Sequence, residues 1–173
     1  MDFHILGDET IKIKGKKVSI AVDPKEKIAK FDAEAILLTD KIFDVSRVSD
    51  YRVIVDGPGE YEVSGLKISG IKSDNGVIYE LVSEGANILI AKASALEKIS
   101  ADKLDDYKIV VINADVDLNQ TTITAMEPRV VILYGKMKKE GAKKLGSDTT
   151  TVSSKISLSE EKLPEELEIM LLG

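Results

Sequence analysis

Few side chains in this 173-residue chain are equipped for chemistry, and their kinds decide much of what can be expected of it. There is one histidine, His4, and no cysteine. Disulfides, thiolate zinc sites, cysteine nucleophiles and histidine-rich metal cages are therefore excluded by count. His4 lies in an apolar run at residues 3–6, and a lone base without a nucleophile or an orienting partner makes no mechanism, so it reads as a packing histidine. Asp56-Gly57-Pro58-Gly59 has two glycines but leads into alternating residues and not into a helix. It lacks the helix N-terminus of a phosphate loop and reads as a turn. The lysines between Lys136 and Lys144 read as the solvated face of a helix. Asn119-Gln120-Thr121 matches a glycosylation acceptor by pattern alone, and Asn119 is better placed to cap a helix.

Composition narrows the field further. The 24 Lys plus Arg stand against 30 Asp plus Glu, a formal net charge of −6, which argues against a dedicated nucleic-acid binder. Hydrophobic residues make up 43%, enough for one globular domain spanning residues 1–173. The first residues carry Asp2, Asp8 and Glu9 and no long apolar run, so no export signal is expected and a cytoplasmic location is. No uncharged stretch is long enough to cross a membrane.

The elements that must position any site are legible from periodicity. Residues 3–6, 10–14 and 18–22 predict a three-stranded meander turning near Gly7 and Gly15, with Ile11 and Ile13 alternating with Lys12 and Lys14. The apolar run 35–38 predicts a buried strand ended by Thr39-Asp40. Residues 51–73 predict two tandem hairpins, turning at residues 56–59 and at Gly65, and Asn75-Gly76 marks another. A helix is expected over residues 94–104, capped by Ser94 with Glu97 three residues on. The apolar runs 109–112 and 130–133 flank a predicted helix at 119–126, a strand–helix–strand unit that places parallel strands in one sheet. A lysine-rich helix at 136–145, closed by Gly146, a Ser/Thr-rich connector and a final strand at 167–172 complete the chain. The expected class is α/β: two stacked sheets covered by helices, with a mainly antiparallel first half.

The order of these motifs resembles the metallo-β-lactamase superfamily, in particular its small predicted zinc-dependent hydrolases. The resemblance rests on Ile5-Leu6-Gly7-Asp8 through Ile13-Lys14-Gly15-Lys16-Lys17-Val18 to Asp23-Pro24. It rests most specifically on Asp56-Gly57-Pro58-Gly59-Glu60-Tyr61-Glu62-Val63, and also on the crossover from Ile109 to Pro128-Arg129-Val130-Val131-Ile132. It implies a four-layer αββα sandwich, here in trimmed form.

The superfamily's metal ligands begin with a Thr-His-x-His-x-Asp-His segment after a buried strand, whose imidazoles and carboxylate hold one or two zinc ions. The matching stretch here is Thr39-Asp40-Lys41-Ile42-Phe43-Asp44-Val45. Asp44 alone is kept, and Asp40, Ile42 and Val45 replace the histidines. Asp8 stands where a further histidine follows the opening Leu-Gly. The bridging carboxylate and the late histidine fall near Ala93 and Gly135, with no ligand at either. The resemblance so implies a degenerate metal site without a cofactor, with Ile42 and Val45 filling vacated space and Lys41 and Lys92 adding positive charge where a metal would sit. The expected function is that of a non-catalytic, metal-free scaffold or binding module. It is expected to self-associate or take a protein or small-molecule partner, without nucleic acid or membrane. The alternative is a hydrolase that holds Mg²⁺ or Mn²⁺ through Asp8, Asp40 and Asp44 and acts on a phosphodiester, phosphonate or ester.

Overall fold

The computed structural model describes residues 1–7, 9–41, 43–83, 86–100, 104, 106–159 and 161–173. The chain opens with β1 (Asp2–Ile5), β2 (Ile11–Lys14), β3 (Ser19–Val22), β4 (Phe31–Asp32), β5 (Ala35–Leu37), β6 (Val48–Ser49) and β7 (Val53–Val55). Next come β8 (Gly59–Val63), β9 (Leu66–Ser73), β10 (Gly76–Ser83), β11 (Ala86–Lys92) and the short α1 (Ala93–Leu96). The remainder is β12 (Ile109–Asn113), α2 (Gln120–Thr124), β13 (Val130–Tyr134), α3 (Lys138–Lys144), β14 (Val152–Ser153), β15 (Lys155–Ser157) and β16 (Glu168–Leu172).

Two sheets stack. The first has the order β15-β1-β2-β3-β5-β7 and the second β14-β16-β13-β12-β11-β10-β9-β8. Each is antiparallel in one half and parallel in the other: β3, β5 and β7 run parallel in the first, and β11, β12, β13 and β16 in the second. The alternation of β2 puts Ile11 and Ile13 inside and Lys14 outside. By contrast β12 and β13 are apolar at almost every position and buried along their whole length, as parallel strands covered on both faces must be.

Between the sheets lies one core that includes Phe3, Ile20, Leu37, Tyr79, Ile90 and Val111. A second cluster lies on the outer face of the eight-stranded sheet, where Ala95 and Leu96 of α1, Ile123 of α2 and Ala142 of α3 pack on Leu89, Val110 and Leu133. The outer face of the six-stranded sheet is covered more thinly. Ala21, Ile36 and Leu38 there meet Ala33 and Val48 from the β4–β6 ribbon and its flanks, and among the described residues no helix lies on that face. This is where the sandwich is trimmed.

Three local expectations are corrected. Residues 56–59 do not close a hairpin: β7 pairs with β5 in the first sheet and β8 with β9 in the second, so the turn carries the chain between sheets. Its Gly57 carbonyl lies against Gly70 of β9, where a side chain would collide with it. The helix expected at 94–104 is the four-residue α1, and Ser94 does not cap it, because α1 begins at Ala93 with Lys92 at the cap position and Ser94 lies inside its first turn; residues 101–103 and 105 lie outside the described ones. His4 is no core residue, since a third of its side chain is exposed and its Nε2 lies 4.0 Å from Asp2. The helix capped by Asn119 and the helix closed by Gly146 form as expected.

Candidate functional site

The parallel halves of the two sheets end at a common rim, and polar residues stand at or just beyond the ends of six of the strands there. In the first sheet Asp23 follows β3, Thr39-Asp40 follow β5 by one residue and Asp56 follows β7. In the second, Lys92, Asn113 and Tyr134 are the last residues of β11, β12 and β13. These last three are register partners, Lys92 with Asn113 and Asn113 with Tyr134. Residues opposite one another in a ladder leave the sheet on the same face. For this row it is the face toward the first sheet, since Tyr134 belongs to the core between the sheets. The carboxyl ends of parallel strands are where open α/β sheets bind ligands.

Asp23 anchors the rim of the first sheet. It is 2% exposed and takes a positive φ of 47°, a strained conformation for a residue with a side chain. Its carboxylate accepts hydrogen bonds from the Thr39 amide, at 2.8 Å, and from the Thr39 hydroxyl. Burial pushes the Asp23 carboxyl above its ordinary range, while the two Thr39 donors and the charge of Lys92 act the other way. Thr39 is tied in turn to the second sheet, where its carbonyl accepts from the Val77 amide at 3.0 Å and lies so close to Gly76 that no side chain fits there. Tyr79 adds another tie, its hydroxyl lying 2.8 Å from the carbonyls of both Leu38 and Val55.

A cleft of about 980 Å³ opens above this frame, lined by residues of both sheets including Asp40, Phe43, Pro58, Lys92, Asp115 and Val116. Lys92 is its central cation. The Nζ donates to Asp40 Oδ2 at 2.8 Å, and the side chains are 13% and 42% exposed respectively. Burial pulls the Lys92 pKa down, but the Asp40 hydrogen bond and the charges of Asp23, Asp40 and Asp115 outweigh it and leave it raised. Asp40 is held below its ordinary range, first by the bond from Lys92 and then by the Lys41 amide at 2.5 Å. Asp115 is engaged as well, accepting from the Ser94 amide at 3.0 Å, the Ser94 hydroxyl at 2.5 Å and the Val116 amide at 3.1 Å.

Beneath this layer Asn113 and Tyr134 are 1% and 0% exposed, and among the described residues neither Asn113 amide atom nor the Tyr134 hydroxyl has a hydrogen-bond partner. Gly135, at a φ of 87°, makes room for this arrangement, because a side chain there would overlap Asn113 Oδ1. Burial pushes the Tyr134 phenol well above its ordinary value, with Asp23, Glu9 and Asp115 adding to the shift, so it stays a neutral donor.

Of the residues singled out in the sequence, Asp40 lies in the cleft and Gly135 beside Asn113. Asp8 and Ile42 are outside the described residues. Asp44 does not join Asp40: its carboxylate accepts from the Ser46 amide at 2.7 Å in a local turn, and its amide donates to Pro24. Val45 packs with the cluster on the outer face of the first sheet and does not line the cleft, which corrects the expectation for that residue. Ala93 is buried in the helix-side cluster. In the sequence Lys92 reads as a repelling charge and Tyr134 only as the neighbour of Gly135 at the lost late-histidine position, while Asn113 and Asp115 carry no reading as site residues. A signal for Asn113 and Tyr134 was present: Ala91-Lys92, Ile112-Asn113 and Leu133-Tyr134 each end an apolar strand in a side chain with hydrogen-bonding capacity.

The donors among the described residues do not fit a zinc ion. Zinc requires three or four convergent N, O or S ligands, whereas the oxygens of Asp23, Asp40 and Asp115 are engaged by internal donors and an ammonium sits among them. Among the described residues, no three His, Asp or Glu are grouped to hold a metal.

The same architecture is found in solved structures. A provisionally assigned Zn-dependent hydrolase of the metallo-β-lactamase superfamily from Thermotoga maritima superposes with a TM-score of 0.79 at 14% identity, over 99% of this chain and 98% of that one. A possible metal-dependent hydrolase from Veillonella parvula gives 0.64 at 10% identity, covering 91% and 99%. The metallo-β-lactamase fold protein YhfI from Bacillus subtilis gives 0.58 at 7% identity, covering 98% and 95%. No protein-family model matches the sequence, and no curated protein does.

Proposed function

Starting from a metallo-β-lactamase fold, we propose that this chain is a non-catalytic binding protein whose rim cleft takes its ligand without a metal. One observation carries the reading: Lys92, most of it buried, places an ammonium 2.8 Å from Asp40 at the rim where both sheets present their strand ends. A fixed cation there repels a metal ion and occupies the carboxylate a metal would need. What remains is a cleft of about 980 Å³ with polar walls and an exposed aromatic ring, Phe43, a combination suited to holding an organic molecule. Self-association is part of the proposal, with β8, an edge of the eight-stranded sheet, as an open strand on which a second copy could pair.

The second reading, a divalent-metal hydrolase, draws on the names of the neighbouring structures, which are hydrolases provisionally assigned to zinc or another metal. Metal analysis of protein purified without chelator and then offered Zn²⁺, Mg²⁺ or Mn²⁺ separates the two, together with phosphodiester and ester hydrolysis measured with and without EDTA. The binding reading expects no stoichiometric metal and no EDTA-sensitive turnover. One equivalent of bound metal with turnover that EDTA abolishes would replace it with the hydrolase. Light scattering on a sizing column checks the association: a strict monomer at micromolar concentration removes that part.

A further inference from the structure

An open strand edge selects its partner by three things: which side chains share a face, which main-chain groups point outward, and which charges meet. β8 stands at one end of the eight-stranded sheet and β15 at one end of the six-stranded sheet. Both alternate in the same sense. In β8, Glu60 and Glu62 are exposed and Tyr61 packs on the core between the sheets; in β15, Lys155 and Ser157 are exposed and Ile156 belongs to that core.

The outward main-chain groups fall on matching residues. Val63 and Leu66 flank a two-residue turn in which Ser64 and Gly65 both have positive φ, 52° and 84°, so they form a hydrogen-bonded pair of the β8–β9 ladder. Alternation makes Tyr61 the next bonded residue and turns the N–H and C=O of Glu60 and Glu62 away from β9. In the β1–β15 ladder the Ser154 carbonyl accepts from the Ile5 amide at 3.1 Å and the Leu158 amide donates to the Met1 carbonyl at 2.8 Å. Ile156 lies midway and bonds to β1 in the same way, which leaves the N–H and C=O of Lys155 and Ser157 facing the open edge.

Charge opposes the pairing of β8 with the β8 of a second copy. A two-fold axis normal to the sheet keeps each face on its own side, so residues of one face meet residues of the same face. With Tyr61 opposite Tyr61, Glu60 meets Glu62 twice. Sliding by two residues sets Glu60 opposite Glu60, or Glu62 opposite Glu62. Like charges directly opposite destabilise a ladder. Laid antiparallel on β15, the same strand sets Glu62 opposite Lys155, Tyr61 opposite Ile156 and Glu60 opposite Ser157. The apolar pair then lies on the core side, and the outward main-chain groups of the two edges face each other. Lys155 holds Asp2 at 2.8 Å, yet its side chain is 47% exposed and its ammonium has three N–H groups, enough for a second carboxylate.

Resting on the self-association proposed above, we propose that copies of this chain join head to tail, β8 of one pairing antiparallel with β15 of the next, with Glu62 against Lys155. Unlike edges meet in this junction, so each copy keeps one free edge of each kind, and assembly runs past a dimer or closes into a ring.

The test is light scattering on the full chain over about 10–500 µM. Wild type should gain mass with concentration. Glu62→Lys and Lys155→Glu should each weaken association about tenfold by setting like charges together. An equimolar mixture of the two variants should restore it, because the altered side chains are again opposite in sign, and restoration also shows that both variants fold. A mixture that stays dissociated overturns the proposal. So does stronger association in Glu62→Lys with no change in Lys155→Glu, the result expected of β8 on β8, where the new lysine meets Glu60; self-association would then stand without the head-to-tail junction. Association indifferent to both substitutions has the same consequence. A strict monomer at every concentration removes self-association itself and this junction with it, so the two failures are distinguishable.

Discussion

Two buried tyrosines, one in β10 and one in β13 and both in the core between the sheets, make different uses of their hydroxyls. Tyr79 spans the gap to the first sheet, with Leu38 and Val55 carbonyls at 2.8 Å, whereas Tyr134 has no partner among the described residues. Removing the Tyr79 hydroxyl leaves the Leu38 carbonyl without that donor in a dry interior. Tyr79→Phe should therefore cost about 1–2 kcal/mol in urea unfolding, while Tyr134→Phe in ligand-free protein should be neutral or slightly stabilising. Equal losses would mean that the hydroxyls are not distinguished as the geometry requires. The Lys92–Asp40 pair has its own signature in acid. The bond from Lys92 lowers the folded-state pKa of Asp40 below its ordinary 3.8, so the stabilisation is present above that value and is lost as pH falls through the lower folded one. The stability difference between wild type and Asp40→Asn should be flat near neutrality and shrink toward zero as pH drops below the ordinary carboxylate range. Its size should be about 0.5–1 kcal/mol, because Asp40 is substantially exposed and solvent screens the pair. Asp23 contributes a trend of opposite sign, since burial raises its pKa and protonation is then favoured by the fold; comparison with the single variant cancels it.

At the scale of the elements, the junction after β13 is the one on which the site depends. Gly135 and Gly146 have φ of 87° and 82°, but an added side chain meets Asn113 at the first and nothing at the second. Gly146→Ala should cost about 1 kcal/mol, the price of the left-handed backbone alone. Gly135→Ala should cost about 2–4 kcal/mol, because the Asn113 amide must also move. A thermal or urea comparison giving equal losses would show that Asn113 is loosely held. The same junction shows how far sequence reaches. The runs 109–112 and 130–133 were legible as parallel strands because a strand covered on both faces is apolar at every position, and the intervening helix announced its cap in Asn119. The crossing at residues 56–59 was misread because a Gly-Pro turn between two β runs has the same local chemistry whether it closes a hairpin or switches sheets. What decides is the partner of β7, a contact with β5 that no short window contains. Ser94 was misplaced for a related reason, since α1 begins one residue earlier, at Ala93, and the Ser94 amide and hydroxyl both donate to Asp115, twenty-one residues on. The site was legible in its losses, the missing imidazoles, and not in its gains. Lys92, Asn113 and Tyr134 become one row only when three strands align.

The molecule as a whole is unevenly supported, and the asymmetry bears on how the rim works. The strands β11, β12 and β13 are buried on both sides, by the intersheet core and by the three helices. The strands β3 and β5 share the intersheet core, but among the described residues their outer face meets a small cluster and a ribbon of two-residue strands. Local opening costs least where few buried contacts must break. Native-state hydrogen exchange should therefore rank the chain in order, with amides of β11, β12 and β13 exchanging slowest, near the global unfolding limit, and β4 and β6 fastest. The loop after β5 that carries Asp40 should lie between them. Lys92 then stands on the rigid wall and Asp40 on the yielding one. If the amides of residues 39–41 were as protected as those of β12, Asp40 would be fixed, and ligand access would have to come through movement of Lys92 instead.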